Sequence, residues 1–431
     1  MVNPTGSNGT DNGVCMIIKL LLAPLTYWVL GSLTKLKALN RQFDVLTARK
    51  FKAVEEATSA IADIIVRDVH QSQGPDTVKK IASLRLNLTV PRAFVRSTMK
   101  GLVGQRPSDM RMPGRGKGPK QRSALNTIAI FQEIHTDGHE KLGENALQMG
   151  SGIRIDMYGM RDHVRKVLWL VVVPNSRLSN TIGHVFFWTW CRNMEVTFDG
   201  SSELGWLAAF QTTLREVFAP DLSAEEWKPV VAVKSTSNIP IESTWSYDRK
   251  FNGRSMWDIL EEGRIHLILG DVVHRQLFRW LWPNIVQIGL DEFVDYFNNK
   301  KTWKQCGRIL PSGVAPNVVF DMPGDYGLEN LAIPVAQEAI DELRTLIDTS
   351  REEAYRWVSD EFDALASEVY IQLGCPKLEA LSGWAIFNAM APIQTMFCVA
   401  NWCFLGVAPD LESKYEGFET IQKYCEHIYL P

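Results

Sequence analysis

The clearest patterning of apolar and polar positions lies between residues 128 and 260. IAIFQEIHTD (128–137) reads as a strand. RIDMYGMRDH (154–163) leads into VRKVLWLVVVPNS (164–176), whose unbroken apolar run suits a central strand. LSNTIGHVFFWTWCRNM (178–194) then reads as a helix with Asn180 near its cap, and EVTFD (195–199) as the next strand. SELGWLAAFQTTLREVF (202–218) predicts a helix, PVVAVKS (229–235) a strand and IPIESTWSYDRKF (239–251) a further helix. The order β-β-β-α-β-α-β-α predicts an α/β core over 128–262.

Helical periodicity takes over on both sides. SLTKLKALNRQF (32–43) sets Leu33, Leu36, Leu39 and Phe43 on one helical face, with Lys35, Lys37 and Arg41 elsewhere. EEATSAIADIIVRDVHQ (55–71) is a second amphipathic helix, closed off near Gly74-Pro75. DTVKKIASL (76–84) and PRAFVRSTMKGL (91–102) have the form of a helix-turn-helix pair, with Pro91 suited to a first helical turn. Its second helix would offer Arg92, Arg96 and Lys100 to a DNA groove. The same pattern fits a small helical bundle with a solvated basic face. In the Gly/Pro-rich segment 104–123, Arg106, Arg111, Arg115, Lys117, Lys120 and Arg122 face one acid, Asp109. Such a segment is either a phosphate-tracking arm or a solvated connector. Residues 277–299, dense in aromatics, and the amphipathic region 335–373 are predicted helical. The domain organisation expected is a polar and then apolar N-terminal segment (1–31), a helical region (32–103), a basic linker (104–127), the core (128–262), its helical extension (263–345) and a helical C-terminal region (346–431).

Two apolar stretches raise the question of a membrane. Residues 14–33 contain Lys19 and Pro24, and no basic residue precedes them, so a packed segment is expected there in place of a signal peptide or anchor. Residues 380–409 hold no charge and match a bilayer span in length, with Trp384 and Trp402 as candidate interfacial anchors. Asn388, Pro392, Gln394 and Asn401 argue for packed helices instead, and packed helices are the expectation. The net charge of −3 confines any nucleic-acid surface to a local basic patch. Seven scattered cysteines without a CxxC pair fit a reducing intracellular compartment, the nucleus included.

The candidate chemistry is carried by three acids. Asp137 lies in a strand-like segment, Asp199 follows EVTF at the turn signal DGSS, and Glu242 stands at the start of a helix after NIP. Carboxylates at strand ends and on an abutting helix can converge, and three acidic oxygen donors suit Mg²⁺ or Mn²⁺. His135 and His139 flank Asp137 without a Cys/His partner at zinc spacing, so hydrogen-bonding or packing roles are expected. Glu203 is a candidate outer partner of Asp199. Lys234 and Asn238 are placed to orient a phosphate, and Arg249 falls on the helical face of Glu242, where a DNA strand could pass.

HTDGHEKL (135–142), IDMYGMRDHVRKVLWLVVVPNSRLSNTIGHVF (155–186), FDGSSELGWLAAFQTTLREVFAPD (198–221), VAVKSTSNIPIESTW (231–245), DEFVDYFNNKKTWKQ (291–305) and LPSGVAPNVVF (310–320) together resemble the integrase core-domain proteins of basidiomycete fungi, relatives of retroviral-type integrases and DDE transposases. The resemblance spans roughly 30–345. It implies a ribonuclease H-like mixed sheet flanked by helices, in which the first and fourth strands are neighbours. It also implies a DDE-type, Mg²⁺- or Mn²⁺-dependent polynucleotidyl transferase with Asp137, Asp199 and Glu242 as metal ligands and catalytic residues. Double-stranded DNA is the implied partner, and a homo-oligomer is compatible with it. Departures from the family pattern are TSN (236–238), where relatives often carry a His, a stretch after Glu242 that keeps only Arg249 and Lys250 and adds Asp248, and a turn after Asp199 that reads GSSE. They weaken the expected phosphate contacts and leave open a transposon-derived, catalytically inactive nucleic-acid-binding protein. A membrane-tethered scaffold built on 380–409 is the remaining alternative.

Overall fold

The computed structural model describes residues 33–43, 54–69, 72–103, 129–147, 149–150, 152–187, 195–199, 204–268, 271–304 and 310–392. The chain forms two units, Met1–Ile64 with Gly74–Arg106, and Ile65–Gln73 with Pro107–Pro431. The basic segment with Arg111, Arg115, Lys117, Lys120 and Arg122, Arg106, Glu203 and the stretch 393–409 lie outside the described residues.

The first unit is helical. Its elements are α1 (Leu33–Gln42), α2 (Val54–Arg67, with its end from Ile65 belonging to the second unit), α3 (Pro75–Arg85) and α4 (Arg92–Val103). Val78, Ile81 and Ala82 of α3 and Val95 and Met99 of α4 are buried, as are Leu88 and Val90 between them. Asn87, at φ 47°, takes the left-handed turn that lets the chain reverse there. Arg92, Arg96 and Lys100, spaced by four, form an exposed stripe along α4, and Arg92 Nε donates to Asp76 Oδ1 at 2.8 Å. Phe43, expected on the apolar face of α1, is 57% exposed.

In the second unit, the strand predicted over 128–137 is interrupted at Phe131, whose φ of 60° is incompatible with an extended chain. It becomes β1 (Ala129–Ile130) and β2 (Glu133–His139). β3 (Asp156–Asp162) and β4 (Val167–Val173) follow as a hairpin, then β5 (Glu195–Asp199), β6 (Val230–Val233) and β7 (Glu329–Asn330). The main sheet has the order β4-β3-β2-β5-β6, with β2–β3 and β3–β4 antiparallel and β2–β5 and β5–β6 parallel; β1 pairs only with β7. Asp137 therefore sits on the central strand.

Strand alternation divides the layers. Ile134 of β2, Tyr158 and Met160 of β3, and Val196 and Phe198 of β5 meet Ile182 and Phe186 of α5 (Ser179–Phe186) and Leu207 and Phe210 of α6 (Gly205–Phe218) in one apolar core. The opposite face carries α7 (Ile239–Asp248), a π-helical turn (Arg249–Gly253), α8 (Arg254–Glu262) and the long α9 (Val272–Asn299). α9 also guards the edge strand. Asn298 accepts from Val167 N at 2.9 Å and donates to Val167 O at 2.7 Å, while Gln287 does the same for Val172 N (2.8 Å) and Leu170 O (3.1 Å). Side-chain amides thus take the ladder positions that a further strand would occupy.

Gly159 on β3 is what lets α7 lie so close. A Cβ there would stand 2.6 Å from Leu170 Cδ2 and 2.8 Å from Trp245 Cζ2. Gly159→Ala is expected to cost about 1–3 kcal/mol, the usual scale of overpacking. A lower denaturation midpoint at unchanged slope would show it.

The helical region expected over 335–373 is built of separate helices. The pieces are Gln337–Arg344, Arg351–Ala354 and α10 (Asp360–Gln372). Ser350 and Ser359 cause the restarts, since their hydroxyls accept from Glu353 N at 3.1 Å and Phe362 N at 3.3 Å as N-caps. α11 (Gly383–Met390) opens the apolar stretch as a packed helix. Its Trp384 lies 4.9 Å from Trp282 and donates to Ile259 O at 2.9 Å, so it is an interior residue and no interfacial anchor. Among the described residues no helix is long and apolar enough to cross a membrane.

Candidate active site

EIHTDGH alternates so that Glu133, His135, Asp137 and His139 share one face of β2, beneath α7. A polar row in the middle of a sheet needs partners for every group. Asp137 meets two further carboxylates. β2 and β5 pair in parallel with His135 opposite Thr197, and two residues on the same register sets Asp137 level with Asp199, the last residue of β5. Neighbouring strands lie about 4.8 Å apart. Glu242 comes from the first turn of α7, exposed, and Ser235 Oγ donates to its Oε1 at 2.9 Å. Asp137 feels the other two acids: burial, then the charges of Glu242 and Asp199, push its carboxyl up to about 7. Trp245 Nε1 donates to Asp137 Oδ2 at 3.2 Å, and its ring stacks on His139 at 4.6 Å and 9°.

The helix bearing Glu242 is fixed by a residue that motif reading passes over. Arg161 of β3 is buried and donates to Pro240 O, to Ser243 Oγ at 2.7 Å and to Thr244 Oγ1 at 2.9 Å. Its guanidinium thus gathers the first turn of α7 onto the sheet. Asn238 departs from its expected role. It is buried, its amide nitrogen donates to Thr136 O at 2.9 Å, and its Oδ1 lies 2.9 Å from His135 Nδ1, so both of its amide atoms are engaged with β2.

His135 gains the partners that sequence spacing did not reveal. Its Nε2 lies 2.9 Å from His163 Nδ1 and 3.2 Å from Glu133 Oε1, and His163 Nδ1 lies 2.7 Å from Glu133 Oε2. The ligand atoms of these three side chains fall within 4.8 Å of one another and could hold a metal ion. His163 stands in the β3–β4 turn, 28 residues away in sequence, and the hairpin brings it back. Burial holds the His135 ring down at about 4, with Glu133 working against that. For Glu133, burial opposes ionisation, yet the His163 hydrogen bond and the His135 charge carry it to about 2.

Beside His139 opens a cavity of about 400 Å³ lined by Lys141, Arg249, Arg254, Asp248 and Trp257 among others. Burial, then Lys141 and Arg249, hold His139 down at about 4. Arg249 is exposed at the end of α7, where its N–H still bonds to Trp245 O before the π turn begins. Lys234 is exposed just beyond β6.

Asp248, the acid that departs from the family pattern, is buried, and burial alone raises it from 3.8 to about 7. The folded protein therefore binds this proton more tightly than the unfolded chain does. Its contribution to stability is complete below the unfolded value and is lost as pH rises through about 7. Asp248→Asn is expected to match the parent near pH 3 and to exceed it in melting temperature at pH 8. The gap is a few kcal/mol at most, since a tenfold change in proton affinity is worth ~1.4 kcal/mol. Parallel pH–melting curves for the two proteins would contradict this.

Compared with known proteins, the sequence matches no family model and none of the curated proteins.

Proposed function

We propose that the protein is an integrase- or transposase-like polynucleotidyl transferase with a ribonuclease H-like core, acting on phosphodiester bonds of DNA at Asp137, Asp199 and Glu242. The observation that carries this reading is that the charges of Glu242 on α7 and Asp199 on β5 both act on Asp137 of β2. The sheet order supports it too: an antiparallel trio whose first member receives two parallel strands on its free side. Asp137, held near neutrality by burial and then by the charges of Glu242 and Asp199, is a donor that a hard divalent cation would relieve. Mg²⁺ or Mn²⁺ bound there would supply Lewis-acid stabilisation and lower the pKa of the attacking hydroxyl or water. The chain's own part is positional. Trp245 orients Asp137, Ser235 orients Glu242, and Arg161 holds α7 against the sheet. The attacking oxygen gives up a proton and bonds to phosphorus as the bond from phosphorus to the 3′ oxygen breaks, and that oxygen leaves with a proton.

Lys141, Arg249 and Arg254 around the cavity, with Lys234 beyond β6, supply a local positive rim that offsets the net charge of −3. Arg92, Arg96 and Lys100 on α4 are the described candidates for further phosphate contacts, and the arm over 104–123 extends the set. Calorimetric titration with Mn²⁺ and a plasmid-nicking assay test the reading. Stoichiometric binding and Mn²⁺-dependent nicking are expected, and a chain that binds no Mn²⁺ is not this enzyme.

A further inference from the structure

We propose that Glu133, His135 and His163 form a second, separate metal site that takes a divalent first-row transition ion of the zinc type, and that this ion ties the β3–β4 turn to β2. His135 Nε2 lies 2.9 Å from His163 Nδ1 and 3.2 Å from Glu133 Oε1, while His163 Nδ1 lies 2.7 Å from the other carboxylate oxygen, Oε2, so one oxygen of Glu133 faces each ring. Ligands at about 2.1 Å from one ion stand about 3 to 3.4 Å apart, so little movement separates these groups from a coordination face. Two imidazoles and one carboxylate are a nitrogen-rich set, suited to zinc or iron and unlike the all-oxygen set of Asp137, Asp199 and Glu242.

Proton counting favours a cation over a plain hydrogen-bonded cluster. Asn238 spends its amide nitrogen on Thr136 O, so its oxygen faces His135 Nδ1, and the ring proton belongs there. The Nε2 of a neutral His135 is then a lone pair, facing Glu133 Oε1 at 3.2 Å. The single proton of His163 Nδ1 can serve His135 Nε2 or Glu133 Oε2 and not both, so one of these two acceptors keeps no donor within the cluster. A divalent ion that displaces that proton would take both imidazole lone pairs and a Glu133 oxygen together. The outer partners of a built site are present as well. Asn238 fixes the His135 tautomer, and Thr197 Oγ1 donates to Glu133 Oε1 at 2.7 Å. Both histidines are buried, while the Glu133 side chain is 24% exposed and gives the ion a way in and water a place to complete the shell. The site lies two residues along β2 from Asp137, about 7 Å by strand rise, so its ion is distinct from any held there. Because Asn238 caps the approach to α7, ligation at His135 stiffens the loop that sets Glu242.

The test is titration of the chelator-stripped full chain with Co²⁺ and Zn²⁺, followed by calorimetry and by the visible absorption of Co²⁺. The expected result is one high-affinity equivalent, competed by Zn²⁺, retained in Asp199→Asn and weakened at least about 100-fold in His163→Ala and Glu133→Gln. Asn238→Ala, the loss of an outer partner, should weaken it about 10–100-fold. If His163→Ala does not fold, judged by circular dichroism, the near-isosteric Glu133→Gln carries the same comparison. Absence of a high-affinity equivalent in the parent, or binding that Asp199→Asn removes and Glu133→Gln leaves intact, overturns the proposal.

Discussion

Asp199→Asn is expected to abolish Mn²⁺-dependent strand cleavage, by about 10³-fold or more, while DNA affinity stays within a factor of a few. The scale follows from losing a principal group that stabilises charge in the transition state. Asn keeps the shape and removes the charge at the last residue of β5, level with Asp137. With that charge gone, one of the pressures raising Asp137 disappears, so its carboxyl should ionise at lower pH than the parent's value of about 7. Cleavage and proton affinity should therefore move together in Asp199→Asn and in Glu242→Gln, whose charge acts on Asp137 even more strongly. Nicking assays at several Mn²⁺ concentrations, with binding measured on the same duplex, check this. Full cleavage by either variant would remove the acids from the mechanism. Parent and variants that bind DNA equally and cleave nothing would leave a nucleic-acid-binding protein on the same fold.

The second large effect concerns Trp245. Its side chain is 2% exposed, stacks on His139, donates to Asp137 and lies against Gly159. Trp245→Ala is expected to cost about 3–5 kcal/mol, because the indole is removed from a site framed by sheet and helix that can collapse only in part. It should also release α7, and Glu242 with it. Trp245→Phe separates the two roles. It keeps most of the packing and loses the N–H that lowers Asp137, so Asp137 should hold its proton to a pH above about 7. Mn²⁺ binding, which needs the carboxylate, should then shift to higher pH while stability falls much less than in Trp245→Ala. Equal stability losses in the two variants would mean that the indole nitrogen, and not the packed ring, secures the helix.

Local patterning reaches a definite depth here. The apolar run VLWLVVV, the strand EVTFD and the helices 205–218 and 239–248 follow from period and turn chemistry that neighbouring residues decide among themselves. Boundaries fail where a single residue overrides the pattern. Phe131 at positive φ splits one strand, and Ser350 and Ser359 each open a separate helix within 335–373. Both serines precede acidic residues and were readable as caps, since S-x-x-E stands at 350–353.

The site divides along the same line. That Asp137, Asp199 and Glu242 sit at a strand, a strand end and a helix start was determined by the sequence, because each position depends on the few residues around it. Asp137 level with Asp199 depends on the β2–β5 register, a long-range pairing that only the tertiary structure decided. The same holds for Arg161, which reaches α7 across 79 to 83 residues, and for His163, which the β3–β4 hairpin returns to His135. Neither carries a local signature, since a buried arginine and a turn histidine look like any others until the chain closes on them. Asn238 shows the converse: its polar side chain beside Glu242 suggested a ligand contact, and burial spent both of its amide atoms on β2. Short-range periodicity fixes what an element is. Which side chains meet across the sheet depends on register and packing, where contacts from distant parts of the chain outweigh local preference.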